Sequence, residues 1–455
     1  QYEMSYTNIL NMLDLGGIPI FAKERTGGMP FVVAGGPCAC NPEPLADFFD
    51  FFVIGEGEEV TNEILDEYKE WKNTGGDREG FLKRIARIEG VYVPSLYDVS
   101  YHEDGTVKAV EPNCPEAPRT VRRRIIRNLD EADFPDDVIV PYTGAVHDRI
   151  MLEIARGCRR GCRFCQAGFI YRPVRERSCE KLLDMARKSV EETGYDEISL
   201  VSLSTSDYSD LSDLCSRLID FTEAGRIGLS LPSLRVDNFT LGLMDKVSRV
   251  RKSGLTFAPE AGTQRLRNVI NKGITEEDLF SSVKLAVSGG WYTVKLYFMI
   301  GLPTETMEDV EGIADLSFRL LEACRGLGEH KKALKITLST ACFVPKPFTP
   351  FQWEPMDDLG DLMKKQRHMK DLLKKRSGNI AYNYHDARLS LMEAVLARGD
   401  RKTGRVLYTA WKKGCRFDGW DEYFSFEKWM EAFRECGLDA GFYANRKRDF
   451  KEVLP

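Results

Sequence analysis

The sequence predicts an α/β fold. Six β/α units in succession form a parallel sheet curled into a partial barrel, preceded by part of a Rossmann-like doubly wound domain and followed by a mainly helical extension. Three observations predict it. Between residues 148 and 375, short apolar runs alternate with stretches of helical period. Each connection is long enough to hold the helix that parallel strands need to cross over, and right-handed crossovers curl the sheet. A cysteine-rich loop follows the first of these strands, the end at which such barrels carry their chemistry.

Composition bounds the class. The chain has 455 residues, room for roughly two to four domains. Its net charge of −6 gives no global attraction to nucleic acid or anionic membrane. No apolar run reaches the roughly 18 residues of a membrane span, and no signal peptide is visible. Twelve irregularly spaced cysteines in a chain this large read as reduced thiols in a cytoplasmic protein, without membrane association. The first residue is Gln and the pattern opens midway, as expected of a piece of a longer protein.

Residues 1–75 read as the partial Rossmann-like domain. TNILNMLDLGG has helical spacing. FVVAGG and DFFVIGEGEE are buried strands ending in glycine turns. PEPLADFF between them is expected to be a helix, capped by Asn41 with Pro42 at its first position. Cys38 and Cys40 are either a metal pair or small buried residues.

Residues 76–147 form a connector with a hairpin turning at Glu103–Asp104–Gly105. VRRRIIR places four arginines in six residues, a solvated basic stretch beside acidic neighbours.

Residues 148–375 are the barrel. MLEIARGC runs from a strand into IARGCRRGCRFCQAGFIYRPVRER, where Cys158, Cys162 and Cys165 stand in a C-x3-C-x2-C spacing. A structural zinc site closes with four ligands and an iron–sulfur cubane normally takes four cysteines, so three local thiolates leave one iron free. Gly157 and Gly161 allow the turns, and Phe164 shields the site. The alternatives are a zinc knuckle completed by Cys179, or three unliganded thiols. Seven arginines from Arg156 to Arg177 balance an anionic centre or face a phosphate-bearing substrate.

These residues resemble the signature of radical S-adenosylmethionine (SAM) enzymes. The resemblance implies that Cys158, Cys162 and Cys165 hold a [4Fe–4S] cluster whose fourth iron is chelated by SAM. One electron then cleaves SAM to methionine and a 5′-deoxyadenosyl radical, which abstracts hydrogen from a substrate. MIGLPTET, APEAGTQRLRNVINKGIT and FVPKPFTPF are similar to strand-end segments of this family. GGP…NPEPLADFFDFFVIGEGEE is similar to the second half of the cobalamin-binding domain that precedes the barrel in one subgroup. Cobalamin is therefore implied by domain type, although no cobalt-ligating His is found in this chain; a docking platform is the other reading.

The resemblance also implies a SAM site at the strand ends. Ser204, Ser206 and Asp207 are candidates for the ammonium, where the family usually places a Gly-Gly-Glu-like motif. Arg235, assisted by Ser233, suits the carboxylate because Arg offers a bidentate fork. Glu260 takes the ammonium or the ribose hydroxyls, and Phe343 and Val344 offer an apolar shelf to adenine. Residues 376–455 are a separate helical extension, with His385 and Asp386 its most reactive pair.

Function follows as radical chemistry, with methyl or methylthio transfer as outcomes. The substrate is an RNA, a protein or a small molecule, and the reductant a one-electron donor such as flavodoxin or ferredoxin. The second hypothesis is a non-catalytic iron–sulfur or zinc module associated with RNA or ribosomes.

Overall fold

The alternation of strands and helices is realised in the computed structural model, which describes residues 2–135, 137–144, 147–231, 255–327, 332–374 and 378–455. The chain divides into two units. The first comprises Gln1–Ile126, Phe343–Leu359 and Asp386–Pro455; the second comprises Arg127–Cys342 and Gly360–His385.

In the first unit, strands Val33–Ala34 and Phe51–Val53 pair in parallel, and Val91–Tyr92 joins antiparallel. The helix expected over PEPLADFF is only a 3-10 turn, Glu43–Leu45. Its backbone bonds span three residues, from the Leu45 N–H to Pro42 and from the Ala46 N–H to Glu43, which is the tighter 3-10 winding. The long helix Gly57–Thr74 ends on Gly75 in the left-handed conformation. The hairpin forms between Tyr97–Tyr101 and Val107–Pro112. Arg124 of the arginine run pairs with Glu59 and Glu63 at 2.6 and 2.7 Å, so part of that stretch is structural.

The C-terminal residues do not stand apart from the N-terminal ones. Helix Thr403–Lys412 packs on helices Tyr6–Leu15 and Phe426–Cys436. The Thr7 hydroxyl donates to Asp418 at 2.5 Å, and the fully buried Trp429 donates to the same carboxylate at 3.2 Å. Asn41, expected as a helix cap, accepts from the Glu43 N–H at 3.3 Å at the start of the short turn, and its amide also donates to the carbonyls of Ala397 and Gly399. Arg401 meets Glu43 at 2.9 Å and the Tyr97 carbonyl at 3.0 Å, while the Tyr92 hydroxyl donates to Glu43 at 2.5 Å. Arg401→Met would strand the Glu43 charge in the interior. It is expected to destabilise the protein by about 3 kcal/mol, read as a lower midpoint in urea unfolding.

Cys38 and Cys40 lie in this unit. Burial pushes the Cys38 thiol up to about 12 and the Cys40 thiol up to about 11, so both stay protonated at neutral pH.

The second unit is the barrel. Its strands are β1 Ile150–Glu153, β2 Glu197–Val201, β3 Gly228–Ser230, β4 Leu255–Glu260, β5 Thr293–Ile300, β6 Lys335–Cys342 and β7 Ile380–Tyr384. Every pairing among them is parallel, in the orders β3-β2-β1 and β4-β5-β6-β7. Its longer helices among the described residues are α1 Cys179–Thr193, α2 Leu211–Gly225, α3 Glu276–Ser288, α4 Met307–Ala323 and α5 Leu359–Lys374. Ser178 caps α1 as its sequence suggests, and Thr275 and Asp278 close a capping box on α3. Ile150, Leu152, Ile198 and Leu200 project from β1 and β2 onto Leu182, Ala186, Leu214 and Leu218 of α1 and α2.

β7 is an addition to the six expected strands. IAYNY lies in the stretch read as the C-terminal extension, yet it pairs in register with β6 from Ile380 opposite Ile336 to Tyr384 opposite Thr340. The helix expected over LGLMDKVSRVRKSG falls outside the described residues.

Candidate functional site

β1 runs almost directly into the cysteine loop. Ala155–Arg156 pairs antiparallel with Arg175–Glu176, and this short ribbon closes the loop at its base. Gly157 then turns at φ 88°, a conformation that side chains with a Cβ rarely adopt. A Cβ there would lie 2.6 Å from the Tyr171 carbonyl oxygen and 2.8 Å from that of Pro173. Two returning stretches of loop backbone thus pass where any other residue would put an atom. The Cys165 amide donates to the Cys162 carbonyl at 3.1 Å, and a helical turn, Ala167–Ile170, follows.

Segments after other strands hold the loop from outside. The Asn271 amide donates to the Gly161 carbonyl at 2.9 Å, and the Arg163 N–H donates to Ile270 at the same distance. Arg160 forms a bidentate pair with Asp207 after β2, at 2.8 and 2.5 Å. The Ser204 hydroxyl donates to the same carboxylate at 2.8 Å.

All three cysteines are free of disulfides. Cys162 is buried, while Cys158 and Cys165 are half-buried. Burial raises the Cys165 thiol, and the neighbouring Cys162 and Cys158 add to this; the Gly168 N–H and Lys272 oppose it. Among the described residues, no three His, Cys, Asp or Glu side chains converge on one point. The donor chemistry nevertheless fits a metal–sulfur centre: three thiols share one loop, feel one another's charge, and have a cation beside them. Lys272 also lies 6.0 Å from the Phe164 ring and pairs with Glu260 at 3.0 Å.

The arginines of the loop are largely engaged by the protein. Arg156 pairs with Glu153 and Arg159 with Glu176. Arg163 donates to the Val269 carbonyl, and the buried Arg177 to that of Leu129. Arg172 donates to the Arg160 carbonyl at 2.7 Å, and Arg175 to that of Pro173 at 3.1 Å. Balancing a bound anion is therefore not their sole employment.

The expected SAM-site residues are only partly brought together. Ser204, Ser206 and Asp207 occupy the turn after β2, next to the cysteine loop through Arg160. Glu260 ends β4 after a bulge, at φ 69°, with Lys272 on its carboxylate. Ser233 and Arg235 lie outside the described residues. Phe343 and Val344 belong to the first unit, where Phe343 is fully buried and meets Phe351 edge-on at 5.8 Å. Its ring is a core contact there and presents no open shelf. Sequence reasoning misses Lys272, Asn271 and the Arg160–Asp207 pair; NKG after Ile270 is their only local trace.

The family model described as "Radical SAM superfamily" matches residues 152–317, and that described as "Radical SAM proteins, N-terminal" matches residues 1–94. The uncharacterized protein MJ0966 of Methanocaldococcus jannaschii is 32% identical over 412 residues, covering 90% of this chain and 78% of that protein. The chain belongs to the radical SAM superfamily. It is accordingly an enzyme of the radical SAM type, a family whose cofactors are a [4Fe–4S] cluster and SAM. The uncharacterized methyltransferase PH0819 of Pyrococcus horikoshii is 27% identical over 306 residues, 64% of this chain and 58% of that protein. The radical SAM methyltransferase TsrM of Kitasatospora setae, solved with cobalamin and a [4Fe–4S] cluster, is 18% identical, with a TM-score of 0.46. That likeness covers 71% of this chain and 59% of TsrM. No helix of the described residues is long and apolar enough to cross a membrane.

Proposed function

We propose that Cys158, Cys162 and Cys165 hold a [4Fe–4S] cluster and that the protein uses it to cleave SAM reductively. When bound, such a cluster supplies the single electron that splits SAM into methionine and a 5′-deoxyadenosyl radical. The residues of this chain position and protect that chemistry. The ribbon at the base of the loop and the clamp from Asn271 and Arg163 fix where the thiols lie. Phe164 stands beside Lys272, its ring centre 6.0 Å from the ammonium, and Lys272 offsets part of the thiolate charge. Ser204, Ser206, Asp207 and Glu260, at the ends of β2 and β4, offer polar groups to the ammonium and ribose of SAM.

The observation that carries the reading is three uncrosslinked thiols on one clamped loop after the first strand of a parallel barrel. The name of PH0819 supports methyl transfer as the outcome, with methylthio transfer the related alternative. The match of residues 1–94 to an N-terminal radical SAM model supports a companion domain ahead of the barrel, and the resemblance of its glycine-rich strand ends to a cobalamin-binding domain is the ground for proposing cobalamin there.

Anaerobic purification followed by incubation with SAM and dithionite tests the proposal. A brown protein with about four irons per chain that forms 5′-deoxyadenosine is expected. A colourless protein holding one zinc and forming none would favour the non-catalytic module.

A further inference from the structure

Parallel sheets are normally apolar on both faces, because helices or a packed interior cover each side. In β5 and β6 the pattern differs. Val294, Leu296, Phe298 and Ile300 alternate with Thr293, Lys295, Tyr297 and Met299, and the first set is buried. The register sets Val294 opposite Ile336, Leu296 opposite Leu338 and Ile300 opposite Cys342, so these build the core face. The other face carries Thr256 of β4, Lys295 and Tyr297 of β5, Thr337 and Ser339 of β6, and Asn383 of β7.

These residues stand in two rows. Thr256, Lys295 and Thr337 are paired across one level, and Tyr297, Ser339 and Asn383 across the next level toward the strand ends. Among the described residues none of the six side chains has a hydrogen-bond or ion-pair partner, although Ser339 is buried. The Lys295 ammonium lies 4.7 Å from the Tyr297 ring centroid, with no carboxylate of the described residues paired to it, and Tyr297 is 40% exposed. Among the described residues this mid-strand cation has no carboxylate partner, and it shares its face with hydroxyls and an amide, a setting that suits an anion; the exposed ring of Tyr297 beside it suits a flat apolar body.

We propose that Lys295, Tyr297, Ser339 and Asn383 form a substrate subsite that takes a planar molecule bearing a carboxylate or a phosphate. Calling that guest the substrate rests on the radical SAM reading; the binding itself does not.

The full chain is titrated with 1-naphthoate and 1-naphthyl phosphate, followed by probe fluorescence. At least one should bind saturably, and the tighter one names the acidic group. Lys295→Met should weaken binding roughly tenfold or more, because a charge-assisted contact is lost. Lys295→Arg should keep it within roughly threefold. If Lys295→Met melts early, Lys295→Gln and Tyr297→Leu carry the same test. Binding of neither probe, or equal binding by the charge-removing variants, overturns the subsite. SAM cleavage by the unsubstituted protein is measured alongside. Lys295-dependent binding without cleavage leaves the subsite standing and removes the radical reading; cleavage with binding indifferent to Lys295 removes the subsite alone.

Discussion

Cys162→Ala is expected to yield a colourless protein that retains almost no iron and loses SAM cleavage by more than about 100-fold. Cys162 is the middle thiol and the most buried of the three. Its carbonyl accepts from the Cys165 amide, a backbone bond that alanine keeps. The substitution therefore removes a sulfur ligand while leaving that backbone bond in place. The thermal midpoint of the metal-free variant should accordingly match that of the metal-free parent. Iron analysis, visible absorbance and chromatography of 5′-deoxyadenosine check the three parts. Full iron content in the variant would show that the metal is held elsewhere, for instance by Cys179, the alternative fourth ligand of a zinc knuckle. That cysteine is buried at the start of α1, with its sulfur 3.6 Å from the Tyr208 hydroxyl.

Gly157→Val is expected to be comparably damaging without touching a thiol. The backbone at φ 88° costs a residue with a Cβ roughly 1–3 kcal/mol in strain. The larger obstacle is the pair of carbonyl oxygens, those of Tyr171 and Pro173, closer than real Cβ atoms approach. Neither is the end of a flexible side chain, so the loop base must open. Iron retention should fall to near background, and limited proteolysis should cut between residues 157 and 175. Gly161→Ala is the contrasting case. Its added Cβ meets the Asn271 side-chain nitrogen at 2.9 Å, which can swing away. That variant should keep its iron and lose only the clamp to Gly161. Equal behaviour of the two variants would contradict the role given to the ribbon at the loop base.

Local chemistry makes the cysteine loop legible in the sequence. Three cysteines, two glycines and a capping serine lie within about one loop of one another, and each acts through its neighbours in the chain. The strands of the barrel are legible for the same reason, since alternation and length are properties of short windows. Long-range pairings are not. The sequence offers Asp207 to the SAM ammonium, but whether Arg160 grips it depends on how β1 and β2 align, and that is set by core packing. Phe343 carries an apolar side chain in a suitable segment; its placement in the first unit depends on how the chain returns after β6. IAYNY follows a long helix and is rich in tyrosine, which sets it apart from the barrel in the sequence, yet the exposed edge of β6 recruits it as β7. The union of residues 386–455 with the N-terminal segment rests on contacts such as Thr7 to Asp418, separated by most of the chain.

The central claim is that three thiolates leave one iron open to SAM. Electron-nuclear double resonance on the reduced, iron-loaded protein addresses it, using SAM labelled with nitrogen-15 in the amino group and oxygen-17 in the carboxylate. Hyperfine coupling from both labels is the result expected. A sample with about four irons per chain that shows no coupling from either label would contradict it.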